Sequence, residues 1–170
     1  MNAPLVLVQA QFREMEGGYH RANVELKAYL RDGWVLPALP VLVEESAAAL
    51  GEGASEGARW EHARLCESVG EVLRQNRKLG SALAHFEMDL EIGLALEGPE
   101  GFGVAGCYQN MGIVHGEMGE NDRALELYGQ AAAIYDEIVE HWTIVVGGEH
   151  AAVKARKADA ARVRAALARR

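Results

Sequence analysis

Six histidines, two cysteines and a charge-rich set of carboxylates and arginines are the side chains here that could do chemistry. A metal site on a helix needs two ligands on one face, hence spacings such as HxxxH or HExxH. His20, His62, His85, His115, His141 and His150 show neither. Cys66 and Cys107 form no CxxC, and each lies inside a helical pattern, so both read as buried free thiols. No GxSxG elbow and no phosphate-binding loop is present. The glycines of "GPEGFG" at 98–103 lack the strand and helix that a dinucleotide site needs, so they mark a loop. No acid pair stands apart from a generally charged surface. These absences predict a non-catalytic protein with no metal and no cofactor.

Charge separates the chain into two parts. Residues 1–146 carry a net charge of −13 and residues 147–170 a net charge of +5, within a total of −8. An acidic body argues against general nucleic-acid binding. The basic segment "HAAVKARKADAARVRAALARR" holds Lys154, Arg156, Lys157, Arg162, Arg164, Arg169 and Arg170. On a helix these could touch RNA or an acidic membrane surface. The same helix carries an apolar stripe of Ala151, Ala152, Val153, Ala160, Val163 and Leu167, which suits a solubilising cap on a helical stack. The opening "MNAPLVLVQAQF" is too short to span a bilayer and lacks the basic flank of a secretion signal. The expectation is a cytoplasmic, intracellular protein with no membrane span.

The elements that hold these residues are helices. Hydrophobic residues make up 49% of the chain but aromatics only 6%, and alanine, glutamate and leucine are abundant. "GARWEHARLCESVGEVLRQ" sets Trp60, Ala63, Cys66, Val69, Gly70 and Leu73 on one helical face, in a pattern that starts near Glu56. "LGSALAHFEMDLEIGLALEG" gathers Leu79, Ala82, Leu83, Phe86, Leu90, Ile92 and Leu96 mostly on one side. After the glycine-proline break come "VAGCYQNMGIVHGEM" and "RALELYGQAAAIYDEIVEHWTIVV", joined by a turn at "GEND". Asn121 or Asp122 can cap the second of these, and Gly147 with Gly148 can end it. That helix is long, and its "WTIVV" end reads as helix, a fraying turn or a short extended piece. Residues 3–15, "YHRANVELKAYLRDG" and the segment from about Leu36 read as further helices before a loop at 51–57.

Gly112 and Gly116 pose a question, since each costs about 1 kcal/mol against alanine inside a helix. An internal repeat supplies part of the answer. With Ala82 set on Ala124, a shift of 42 residues, Gly70 falls on Gly112, Val69 on Met111, Leu83 on Leu125 and Phe86 on Tyr128. Arg77 falls on Gly119, one of the mismatches, and Gly119 itself sits at the turn where a left-handed residue ends its helix.

This register resembles the tetratricopeptide repeat, whose pattern is read here as Tyr108, Met111, Gly112, His115, Ala124 and Tyr128, and before it as Cys66, Val69, Gly70, Leu73, Ala82 and Phe86. The spacing is longer than the usual repeat. "CYQNMGIVHGEMGENDRALELY" looks like the long repeats of kinesin light chains and Pins-type scaffolds, and "GGEHAAVKARKADAARV" faintly resembles the start of a next repeat. The resemblance covers residues 58–138. Asp136 stands in place of the terminal proline, and His115 and Cys66 stand in place of aromatics.

The resemblance implies an all-α, antiparallel helix-hairpin solenoid, a right-handed superhelix with a concave groove. Residues 1–50 would be a degenerate repeat or cap, 58–98 and 102–146 two repeats, and 149–170 a basic capping helix. Small residues would meet across each hairpin, Gly112 against Ala124 and Gly70 against Ala82. The first helix of each repeat would line the groove, with Arg64, Glu67, Ser68, Glu71 and Arg74 from one repeat and Gly106, Gln109, Asn110, Ile113 and Glu117 from the next. Asn110 would hold a ligand backbone, because an amide both donates and accepts. Arg64 and Arg74 would grip a carboxylate through two hydrogen bonds. Such a groove takes a protein or peptide partner, within an adaptor or a subunit of a larger assembly. On spacing alone, Arg64, Glu67, Glu71 and Arg74 fit equally a solvated face laced by ion pairs. Asn110 fits equally a bond between helices.

Overall fold

A computed structural model describes residues 53–168 and, upstream, the helical residues 43, 44, 47 and 48. The predicted helices before residue 43, and Arg169 and Arg170, lie outside the described residues. Five helices follow in order: α1 (Glu56–Gln75), α2 (Leu79–Glu97), α3 (Phe102–Met118), α4 (Asn121–Val146) and α5 (Ala151–Leu167). No strand occurs among the described residues, and the fold is an all-α helical repeat. No described helix is long and apolar enough to cross a membrane.

The chain divides into two compact units, at His85 and Phe86. In the first, Ser55 caps α1 by accepting a hydrogen bond from the Ala58 N–H at 3.2 Å. The predicted face is present, with Ala63, Cys66, Val69, Gly70 and Leu73 buried, and burial extends to His62, Leu65, Ser68 and Val72. Gly70 and Ala82 are both buried.

α1 and α3 end alike. The Gly119 N–H donates to the Gly116 carbonyl and the Glu120 N–H to the His115 carbonyl, at 3.1 and 2.9 Å. The Arg77 N–H donates to Arg74 and the Lys78 N–H to Leu73, both at 2.9 Å. Both are Schellman endings, which need one left-handed residue. Gly119 supplies it at φ +83°, and Arg77, its repeat equivalent, at φ +60°. Arginine has a β-carbon that crowds the next carbonyl there, so the first repeat carries a cost that the second avoids.

In the second unit α4 lies antiparallel to α3. Gly106 and Gln109 stand by Tyr135, Gly112 by Tyr128 and Gly116 by Ala124, so one number rises as the other falls. α5 folds back on α4 after a four-residue link. Their shared core holds Val104, Ala105, Ala131, Ala132, Ile134, Tyr135, Ala160 and Val163. α4 is helical through "WTIVV" and stops at Gly147, at φ +85°. Proline at position 136 would have removed an N–H and struck the preceding turn. Asp136 does neither, which lets the helix run on.

Two expectations are corrected. Neither Asn121 nor Asp122 caps α4: the cap position falls on Glu120, without a side-chain bond, and Asp122 stands in the first turn. There its carboxylate suits the positive end of the helix dipole. Gly112 does not face Ala124 most closely. A β-carbon placed on it would stand 2.8 Å from Cε1 and 2.9 Å from Cδ1 of Tyr128. The bare glycine is what lets that ring approach α3 so closely.

Candidate functional site

The candidate site is a cleft in the second unit, on the side where α3, the start of α4 and the end of α5 converge. Ile113, Gly116, Glu117, Asn121, Ala124, Leu125, Tyr128 and Ala166 line it, around a volume of about 620 Å³. That size falls within the roughly 300–1,000 Å³ of ligand sites. Its walls are mostly apolar, and Glu117 is the one carboxylate among them.

Two of the predicted groove residues, Ile113 and Glu117, belong to this cleft. Gln109 lies further up α3, where its side-chain oxygen accepts a 3.3 Å hydrogen bond from the Tyr135 hydroxyl. A β-carbon on Gly106 would stand 3.9 Å from that same hydroxyl oxygen. Asn110 is half-buried on α3. The remaining five lie on α1, in the other unit. Arg64 and Glu67 are exposed, and Ser68 is buried. Arg74 grips Glu71 with two bonds, Nε to Oε2 at 2.8 Å and a terminal guanidinium nitrogen to Oε1 at 2.7 Å. The two-pronged geometry expected of a ligand is thus made to a neighbour one turn away.

Above the cleft sits a cluster that the sequence patterns did not single out. Tyr135 is 2% exposed, with the Phe102 ring 5.5 Å from its own, centroid to centroid. The Arg156 guanidinium stacks 3.5 Å above Phe102, a cation–π contact. Asp159 pairs with Arg156 at 3.5 Å and Arg162 at 3.2 Å. Burial pushes the Tyr135 hydroxyl up to about 12, and the Asp159 carboxylate adds to the rise while Arg156 and Arg162 oppose it. A ring centred on position 135, seven beyond the repeat aromatic Tyr128, was the available signal. It needed the knowledge that α5 closes over it.

The basic helix spends its charge locally. Lys154 pairs with Glu149 at 2.8 Å, and Arg164 pairs with Asp136, where the repeat proline would have been. The second of these pairs ties α5 to α4. Val153, Ala160 and Val163 of its apolar stripe are buried.

The described histidines and thiols make mainly local contacts. His62 and Cys66 are buried one turn apart, with Nε2 and Sγ 3.8 Å from each other. Burial lowers the His62 pKa. His85 Nδ1 lies 2.8 Å from the Ser81 carbonyl oxygen. His115, in the repeat's aromatic slot, lies 2.5 Å from the Glu120 carboxylate across the α3–α4 turn. The Cys107 thiol donates to Asp89 at 3.2 Å, and neither cysteine forms a disulfide. Among the described residues no group of three histidine, cysteine, aspartate or glutamate side chains is placed to hold a metal ion.

Comparison with known proteins agrees with the repeat register. Residues 61–137 match the tetratricopeptide repeat family. No curated protein matches the chain. Among solved structures, the crystal structure of BtubC (BKLC) from P. vanneervenii is similar over 98% of this chain and 79% of that one. The sequence identity is 21% and the TM-score 0.47.

Proposed function

We propose that this chain, a tetratricopeptide-repeat protein across residues 61–137, is a non-catalytic adaptor that holds a peptide segment of a partner protein. The repeat family is one of protein interaction modules, and the supporting observation is the cleft beside Ile113 and Glu117. Two α3 residues expected to face a ligand line a concavity of ligand size. Asn110 stands one turn before Ile113 on α3, and on this reading it would meet a ligand backbone. The test is partner capture by the full chain, with recovered proteins identified by mass spectrometry. Alanine at Asn110 and Ile113 together should abolish a specific capture while leaving the helical circular dichroism unchanged. Unaltered capture would remove the groove from the account.

A second role, as a subunit covered permanently within a larger assembly, is favoured by one observation. The end of α4 exposes Trp142, Ile144, Val145 and Val146, at 44%, 79%, 64% and 38%. Contiguous apolar surface of this kind marks an interaction site. Size-exclusion chromatography with light scattering separates the roles. An adaptor stays monomeric alone, whereas an orphaned subunit self-associates or precipitates.

A further inference from the structure

α3 and α5 are both 17 residues long. A shift of 49 residues sets Phe102, the first residue of α3, on Ala151, the first of α5. Val104, Met111 and Val114 then fall on Val153, Ala160 and Val163. All six are buried, so α5 repeats the inward face of α3.

Another side of α3 is covered by α4. There Gly112 stands by Tyr128, Gly116 by Ala124, and Gln109 accepts from Tyr135. The same shift sets these three positions on Ala161, Ala165 and Ala158 of α5. All three alanines are exposed, as are Lys154 before them and Ala168 after them. Steps of four and three residues put the five on one side of the helix, the arrangement of a coiled-coil seam. On α3 these places receive a helix, and on α5 they stand uncovered.

Charge names the kind of helix that fits. Lys157 and Arg164 border the seam on one side and Arg162 on the other. Asp159 pairs with Arg156 and Arg162, Glu149 with Lys154, and Asp136 with Arg164. Set against the five cations of α5, those three carboxylates leave a surplus of two, and Lys157 belongs to none of these pairs. The pairs at Lys154 and Arg164 lie between exposed side chains, where an ion pair is weak. The α5 of a second copy would bring the same surplus and be repelled. A nucleic-acid strand would find alanine where its bases need rings to stack on.

We infer that α5 acts as the first helix of a third hairpin, completed by an acidic amphipathic helix of a partner protein laid along Lys154, Ala158, Ala161, Ala165 and Ala168. The pattern for that occupant is α4, which carries five carboxylates against one arginine. α4 brings Tyr128 and Tyr135, seven residues apart, onto the small residues of α3. The partner helix sets two large apolar side chains at that spacing over the alanines, and its carboxylates beside Lys157 and Arg162. Alanine lets the two axes approach to about 8 Å, the near end of the usual range. The seam is not the cleft: Ala166, which lines the cleft, is half-buried beside the exposed Ala165. The inference therefore goes beyond the peptide groove and does not rest on it.

A stapled, fluorescein-labelled peptide of residues 121–139, the part of α4 that covers the equivalent places on α3, tests this by fluorescence anisotropy against the full chain. Binding should be saturable and should weaken with added salt. It should drop at least tenfold in Ala161→Leu, which blocks close approach, and about fivefold in Lys157→Glu. Both positions are exposed and leucine is a good helix former, so unchanged circular dichroism should show that both variants fold. No saturable binding, equal binding of a stapled peptide of the same composition in scrambled order, or binding indifferent to Ala161→Leu would overturn the inference and leave the groove standing. Displacement of the peptide by single-stranded oligouridylate would assign the basic face to nucleic acid and overturn it. Self-association in light scattering that Ala161→Leu abolishes would make a second copy the occupant, and would overturn it too.

Discussion

The two glycines of α3 should respond in opposite ways to one added methyl group. Alanine in place of glycine inside a helix gains about 1 kcal/mol in propensity. At Gly116 nothing opposes that gain, because the new β-carbon would touch Ala124 at 3.9 Å. At Gly112 the new carbon would stand 2.8 Å from the Tyr128 ring, closer than carbon atoms approach without displacement. Tyr128 packs against the core of α3, α4 and α5, so moving it disturbs buried neighbours. Overpacking of this kind costs about 1–3 kcal/mol. The propensity gain is common to both variants, so their difference isolates the overpacking. Gly116→Ala should therefore exceed the natural chain in stability by about 0.5–1 kcal/mol. Gly112→Ala should fall below Gly116→Ala by about 1–3 kcal/mol. At roughly 2–4 °C per kcal/mol for a chain of this size, the midpoints should differ by several degrees. Urea and thermal unfolding, followed by helical circular dichroism, measure both. Equal midpoints, or a Gly116→Ala variant less stable than the natural chain, would refute the assignment of one glycine to packing and the other to the cleft.

Three further outcomes are expected. Arg77→Gly should raise stability by about 0.5–1 kcal/mol in urea unfolding, because it relieves a left-handed arginine, while Gly119→Ala should lower it by a similar amount. Tyr135 ionises near 12 in the fold against 10.0 ordinarily, so the folded protein holds its proton more tightly and stability falls as pH rises through 10 towards 12. About 2–3 kcal/mol is lost over that window, and Tyr135→Phe should flatten this limb of the pH–stability curve. His62 has a lowered pKa from burial, so its neutral form is favoured in the fold. Its contribution is present above pH about 6.5 and lost as the pH falls below that, and His62→Gln should weaken the acid dependence seen in pH-jump unfolding.

Much of the helical framework was legible in the residue pattern because helices bury one side at fixed steps. Glu56 as the start of α1 and Gly119 as its left-handed stop in α3 both follow from local chemistry. The 42-residue register located both hairpins, since equal positions must solve equal packing problems. Local rules misled at the start of α4, where good capping residues stand one step inside the helix. They also left the "WTIVV" end undecided, because apolar residues without a polar face suit helix and strand alike.

The site was legible only in part. Their four-residue spacing puts Ile113 and Glu117 on one face of α3, and both line the cleft. The partners across the gap did not follow from spacing, because interhelical contact depends on how far one helix slides along another. That slide sets Gly112 against Tyr128 instead of Ala124 and leaves Gly116 to widen the cleft. It also decides that Phe102, Tyr135, Arg156 and Asp159 meet. Amino-acid order by itself determined helices, repeat and register, because those obey a periodicity within each segment. Tertiary structure alone decided which glycine is filled by a neighbour and which stays open, because that depends on distances between segments, where one ångström separates a clash from a cavity.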